Sequence, residues 1–200
     1  MTTRAEQKQA TRARILDVAT NLLVERGYSA LTTVAVQRAA DLSRGALLHH
    51  FPTMRELTEA LVANLVELNE ATTQATAERI GDTTDPIHRA LTALYESMTR
   101  PPAQAEFELW AAARTDPELA AVLRVAERRA GRDLHRVIDT LFGPTLVAHA
   151  RYPAARELAV AALRGVAVSR SLRSSERADR ATVEYLADAI RTMLSTDPGD

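Results

Sequence analysis

The sequence predicts an all-α protein, and three observations carry that prediction. Apolar residues recur at three- and four-residue offsets along nearly the whole chain, β-branched runs are scarce, and Ala, Leu, Arg and Glu dominate. At 200 residues the chain suits one domain or two small ones. Its 46% apolar and 26% charged residues are those of an ordinary globular protein. The expected division is a first domain over residues 1–52 and a second over residues 53–200, with about nine helices in all.

The first helix is marked by Ile15, Ala19, Leu22 and Leu23 on one face and stops at Gly27, a residue free to adopt positive φ. Thr32 caps a second helix, with Val36, Ala39 and Ala40 turned inward. Asp41-Leu42 makes a turn, and Ser43 caps a short third helix. Thr53-Met54-Arg55-Glu56 has capping-box spacing. A long fourth helix therefore starts there, runs through Leu57, Leu61, Leu65 and Leu68 to about Ile80, and stops near Gly81.

Asp85-Pro86 supplies a cap and a first-turn proline before the stripe Ile87, Leu91, Leu94, Tyr95 and Met98. Pro101-Pro102 ends that helix, and a segment around Phe107 and Trp110 follows. Asp116-Pro117 opens another, with Leu119, Val122, Leu123, Ala126, Ala130, Leu134, Val137 and Leu141 at helical offsets. Gly131 is a point where it can kink, and Gly143-Pro144 its end. The last two helices are expected over Pro153–Leu172 and from about Asp179 to Leu194, with residues 1–5 and 196–200 frayed.

Several classes of function find no support. Cysteine is absent, which removes disulfides, thiolate nucleophiles and Cys-ligated zinc. The chain opens without a signal-peptide core, and no 18-residue apolar run is present, so a cytoplasmic protein with no membrane partner is expected. No histidine has a Glu three residues before it, as a helical di-iron site requires; Asp85-x-x-His88 comes nearest, and its Asp is a cap. Neither a Gly-x-Ser-x-Gly elbow nor a phosphate-cradling loop occurs. His135 and His149 have no evident partner in the sequence. No catalytic, metal or cofactor site is expected, and the chain does not read as an enzyme.

Charge is more informative by position than in total. The net charge is −1, but residues 1–57 hold eight Lys/Arg against five Asp/Glu, a head of +3 on a body of −4. That distribution suits a DNA-reading unit joined to a sensing or pairing unit. Within the head, residues 32–51 place two short helices around a tight polar turn, the layout of a helix-turn-helix whose second helix enters the major groove. Thr32, Thr33 and Ser43 offer hydroxyls and first-turn N–H groups to phosphates. Arg44 can give two donors to guanine, Ala46 can meet a thymine methyl, and Gly45 lets the backbone come close. His49 and His50 lie a turn further on, within reach of a base or phosphate. Leu42 and Leu47 join the two helices from inside. Tyr28 reads as core, with a hydroxyl that could reach a phosphate.

The residues Thr32, Val36, Ala39, Ala40, Asp41, Leu42, Ser43, Gly45, Ala46, Leu47, Leu48, His50, Phe51 and Leu57, with Ile15-Leu16, Ala19, Leu22-Leu23 and Gly27-Tyr28 upstream, resemble the DNA-binding domain of the TetR family of transcriptional repressors. The resemblance covers about residues 11–60. Three positions depart from it. Asp41 replaces the turn glycine, tolerable because Asp accepts left-handed geometry. Leu48 replaces a phosphate-touching tyrosine and leaves an apolar contact to a base or sugar. Met54 replaces a lysine, with Arg55 beside it to take the phosphate.

The resemblance implies an effector pocket in the later helices, for which Leu65, Leu94, Tyr95, Met98, Phe107, Trp110, Val122, Ala126 and His135 are the candidate liners, with Glu106 or Arg114 to orient a polar ligand. It also implies a homodimer. The small face Leu158, Ala162, Gly165, Ser169 and the larger stripe Val183, Leu186, Ile190, Met193 would pair with their copies in a four-helix interface, or else simply pack on their own chain. The expectation is a homodimeric repressor on a palindromic double-stranded DNA operator, released by a small-molecule effector. The alternative is a helical ligand-binding or adaptor protein with a vestigial helix-turn-helix.

Overall fold

The computed structural model describes residues 3–81, 85–170, 172 and 175–195, with only the helical backbone of residues 127–133. Among these residues there are ten α-helices and no strand: α1 (Arg4–Arg26), α2 (Thr33–Ala39), α3 (Arg44–His50), α4 (Met54–Ile80), α5 (Pro86–Met98), α6 (Pro101–Ala113), α7 (Pro117–Phe142), α8 (Pro144–Val147), α9 (Tyr152–Ser169) and α10 (Glu176–Ser195). A 3-10 turn over Tyr28–Ala30 links α1 to α2. The helix beyond the expected set is the four-residue α8, which lacks any periodic stripe.

Helix starts follow local side-chain chemistry. Thr32 accepts from the Ala35 N–H at 3.2 Å and Ser43 from the Ala46 N–H at 3.1 Å. Thr53 accepts from the Glu56 N–H at 3.1 Å and its hydroxyl donates to the Glu56 carboxylate. Asp85 accepts from Ile87 and His88, and Asp116 from Glu118 and Leu119. Each cap satisfies amides the helix leaves unpaired. α1 also begins earlier than the frayed start expected, because Thr3 and Glu6 close a reciprocal capping box. At its far end Gly27 takes φ 72° and its N–H reaches the Leu23 carbonyl at 2.9 Å.

Two bounds differ from those expected, and at α10 a cap sets the difference, since the Ser175 hydroxyl accepts from the Ala178 N–H at 3.2 Å. α9 ends at Ser169 rather than Leu172, and α10 starts at Glu176 rather than Asp179. The backbone of α7 is helical through Gly131, while the Ala130 side chain and residues 196–200 lie outside the described set.

The chain divides into two compact units, residues 1–68 with 101–129 and residues 69–100 with 130–200. In the first, Ile15, Ala19, Leu23, Val36, Leu47, Phe51, Leu57, Leu61 and Leu65 form one core with Leu109, Leu119 and Leu123. α6 lies against α1, so the three N-terminal helices share their core with α6 and the start of α7. In the second, α5, α9 and α10 pack on one another around Leu91, Leu94, Leu163 and Ile190, and the Phe142 and Tyr152 rings meet edge to face at 5.5 Å. No described helix is long and apolar enough to cross a membrane.

Candidate DNA-binding surface

α2 and α3 are short helices set by a turn that only certain residues permit. Asp41 is the one described non-glycine residue with positive φ, at 49°, and it closes the turn with N–H bonds from Asp41 to Arg38 and Leu42 to Gln37. Behind the turn Val36, Ala40 and Leu47 are buried and Leu42 half-buried, which locks the two helices together. Ala39, expected inward, is exposed, because the seven-residue α2 buries only the row of Val36 and its cap Ala40.

With its inner face fixed, α3 turns Arg44, Gly45, Leu48 and His49 outward, with Ala46 half-buried. A Cβ built on Gly45 would meet nothing within 4 Å, so internal packing does not require the glycine. Leu48 is 36% exposed, and Val34 of α2, which the motif reading passes over, is 53% exposed. Thr32 is exposed and Thr33 half-buried. Arg55 is exposed but pairs with Glu59 at 2.9 Å along α4, a surface pair that a phosphate could readily displace.

His50 differs from its neighbour. It is half-buried, its Nδ1 is shielded from solvent without a hydrogen-bond partner, and its ring meets His49 edge on at 5.6 Å. Burial, then the positive surroundings of His49, Lys8 and Arg12, hold its imidazole below the ordinary pKa. Arg12 reaches it from α1: the guanidinium lies 4.4 Å from the centre of the Phe51 ring and donates to the His50 carbonyl at 3.5 Å. Arg12 lies outside the motif; its one sign in the sequence is the four-residue spacing of Arg4, Lys8 and Arg12. The Tyr28 hydroxyl is directed at Asp116, where burial and then that carboxylate push its pKa up.

The other expected sites are dispersed. Leu65, Trp110, Val122 and Ala126 belong to the core cluster of the first unit or border it, and the Phe107 ring lies tilted against Trp110 with ring centres 5.4 Å apart. Leu94 and Met98 are buried in the second unit, where the Tyr95 hydroxyl donates to Asp179 at 2.8 Å and His135 pairs with Glu157 at 3.2 Å. The nine therefore form no single lining within either unit. A cleft of about 290 Å³ does open between α1 and α4, lined by Arg12, Leu16, Asn64 and Glu67 among others, and none of the nine borders it. His149, like His135, has a partner: its Nδ1 accepts from the Arg151 N–H at 3.1 Å. No group of three or more metal-binding side chains occurs among the described residues.

Of the two readings of the α10 stripe, packing on its own chain accounts for Val183, Leu186 and Ile190, which are buried where α10 packs on α5 and α9. Ala162, Ser169 and Met193 are half-buried. The outward apolar residues of these helices are Leu158, Val168 and Tyr185, at 43%, 55% and 75% exposure, with Gly165 open beside them and Leu172 just beyond α9.

A helix-turn-helix with its inner face locked and an outward arginine is the layout of a DNA-reading unit. Residues 15–61 match the family model described as bacterial regulatory proteins, tetR family. The HTH-type transcriptional regulator CymR of Pseudomonas putida is 32% identical over 127 residues, a likeness spanning 63% of this chain and 63% of CymR. Solved structures add a likeness of fold. A transcriptional regulator from Rhodococcus sp. Rha1 superimposes with a TM-score of 0.71 at 20% identity, covering 94% of this chain and 99% of its own. The multidrug binding protein EbrR, solved in complex with imidazole, gives 0.61 at 21%, covering 94% and 97%. Residues 15–61 therefore carry the similarity to the tetR family of regulators, and the rest of the chain shares its fold with such proteins.

Proposed function

We propose that the chain is a homodimeric repressor that reads an inverted-repeat operator, each copy placing α3 in the major groove, and that a small molecule releases it. The observation that carries the reading is the outward face of α3. Arg44 has no protein partner among the described residues and can give two parallel donors to guanine O6 and N7, while Ala46 and Leu48 offer apolar contact to a thymine methyl. Thr32, Thr33, Ser43, His49, His50 and Arg55 flank it as phosphate contacts that fix the register.

One recognition helix per chain favours a two-fold dimer, since two half-sites supply the specificity that one seven-residue helix lacks. Leu158, Gly165, Val168 and Tyr185 form the face assigned to that dimer. An effector would act by favouring a dimer state whose recognition helices no longer match the half-site spacing. EbrR, which holds imidazole, lends this part its support. A cytoplasmic setting follows from the same reading.

The test is selection from random duplexes, run for the parent and for Arg44→Ala. The parent should enrich an inverted repeat. The variant should relax one base step in each half-site, at a cost of about 1–3 kcal/mol in operator binding. A folded parent that enriches nothing at low salt would sink the reading and favour a ligand-binding protein with a vestigial DNA unit.

A further inference from the structure

The first three turns of α1 carry a row of cations whose placement works against the helix. Arg4, Lys8 and Arg12 stand four residues apart, so they line one side of α1, where like charges repel. They also occupy its N-terminal half, where the macrodipole disfavours positive charge, whereas Asp17 and Glu25 lie in the C-terminal half. Glu6, the nearest acid in sequence, is committed to the Thr3 capping box at 2.6 Å. All three cations are exposed, and none forms an ion pair among the described residues. The row ends on the DNA-binding helix, because Arg12 lies over Phe51 and donates to the His50 carbonyl at the C-terminus of α3. Lys8 is near enough to act on the same imidazole.

A cationic row with no ion pair among the described residues, continuous with the end of α3, calls for a repeating anion on its open side. We infer that Arg4, Lys8 and Arg12 form a second DNA-contacting element, which grips backbone phosphates flanking the bases read by α3. The element holds phosphates without reading sequence, and Arg12 also ties its position to α3 through Phe51. This rests on the DNA-binding reading above and adds to it three residues outside the helix-turn-helix. Phosphate contacts set affinity and salt dependence, whereas base contacts set sequence preference, so the two roles separate in one experiment.

Binding is measured against salt concentration on a duplex bearing the selected inverted repeat and on a scrambled duplex of equal length. The proteins are the parent, Arg4→Gln, Lys8→Gln, Arg12→Gln and Arg12→Lys. Each Gln variant should weaken binding to both duplexes and flatten the log–log salt slope by about 0.9 for each phosphate no longer neutralised, with the selected motif unchanged. Arg12→Lys should recover most of the slope. Thermal melts identify the structural outcome: an Arg12→Gln protein that melts early but keeps the parental slope shows an arginine that only packs on Phe51. Parental slopes in Lys8→Gln and Arg4→Gln overturn the inference while leaving DNA reading by α3 intact. A parent that binds neither duplex overturns both.

Discussion

His50 ends α3 with an imidazole nitrogen that is buried and unpartnered, beside His49, Lys8 and Arg12. Burial first, and those positive groups next, hold its pKa in the folded chain below the ordinary value. The unfolded chain takes up that proton at the ordinary value of about 6.5, so the unfolded state binds more protons below it. The stability linked to His50 is therefore present above about pH 6.5 and is lost as pH falls toward the depressed folded value. Melting temperatures recorded from about pH 7.5 to 5.5 should fall less steeply for His50→Gln than for the parent; parallel curves would remove His50 as the source. Ser43 makes a second claim at this scale. Its hydroxyl caps the short α3 alone, so Ser43→Ala should cost about 1 kcal/mol in denaturant unfolding.

α5 and α10 lie antiparallel, as their polar ties show: Asp85 meets Arg191 at 2.6 Å, His88 meets Glu184 at 2.9 Å, and Tyr95 meets Asp179 at 2.8 Å. These ties are not equal. The first two are exposed to water, which screens them, whereas Asp179 is only 5% exposed. Burial, then the bond to Asp179, pushes the Tyr95 hydroxyl up to about 12, so it stays a donor throughout the physiological range. Tyr95→Phe leaves a buried carboxylate without that donor and should destabilise the second unit by about 1–3 kcal/mol in thermal or denaturant melts. Arg191→Gln should change the same melts little. A larger effect at Arg191 than at Tyr95 would contradict this ranking.

For the whole molecule, the assignment of α9 and α10 to a dimer depends on which of their apolar side chains are exposed. Ile190 is fully buried, so Ile190→Ala should cost about 2–5 kcal/mol in stability through the cavity it leaves. Val168 and Tyr185 face outward, so Val168→Glu and Tyr185→Glu should keep the parental helicity and melt while shifting the protein toward monomer in sedimentation. On the proposed dimeric reading of the operator, those variants should also lose binding to the full inverted repeat at concentrations where the parent binds. A parent that sediments as a monomer at all concentrations would remove the dimer reading.

What the sequence determined by itself is what short-range chemistry decides. The caps at Thr32, Ser43, Thr53, Asp85 and Asp116, the stop at Gly27 and the left-handed turn at Asp41 each depend on groups within a few residues, so spacing alone reveals them. The helix-turn-helix was legible for the same reason: its inner contacts join residues close in sequence. The tertiary structure alone decided which side of an amphipathic helix is core. α10 carries Val183, Leu186 and Ile190 on one side and Tyr185 on another, and only the presence of α5 and α9 makes the first set interior. It alone also brought Arg12 to His50, 38 positions away, and Glu157 to His135. Such pairings depend on where distant helices come to rest, and the periodicity of a single helix does not encode that.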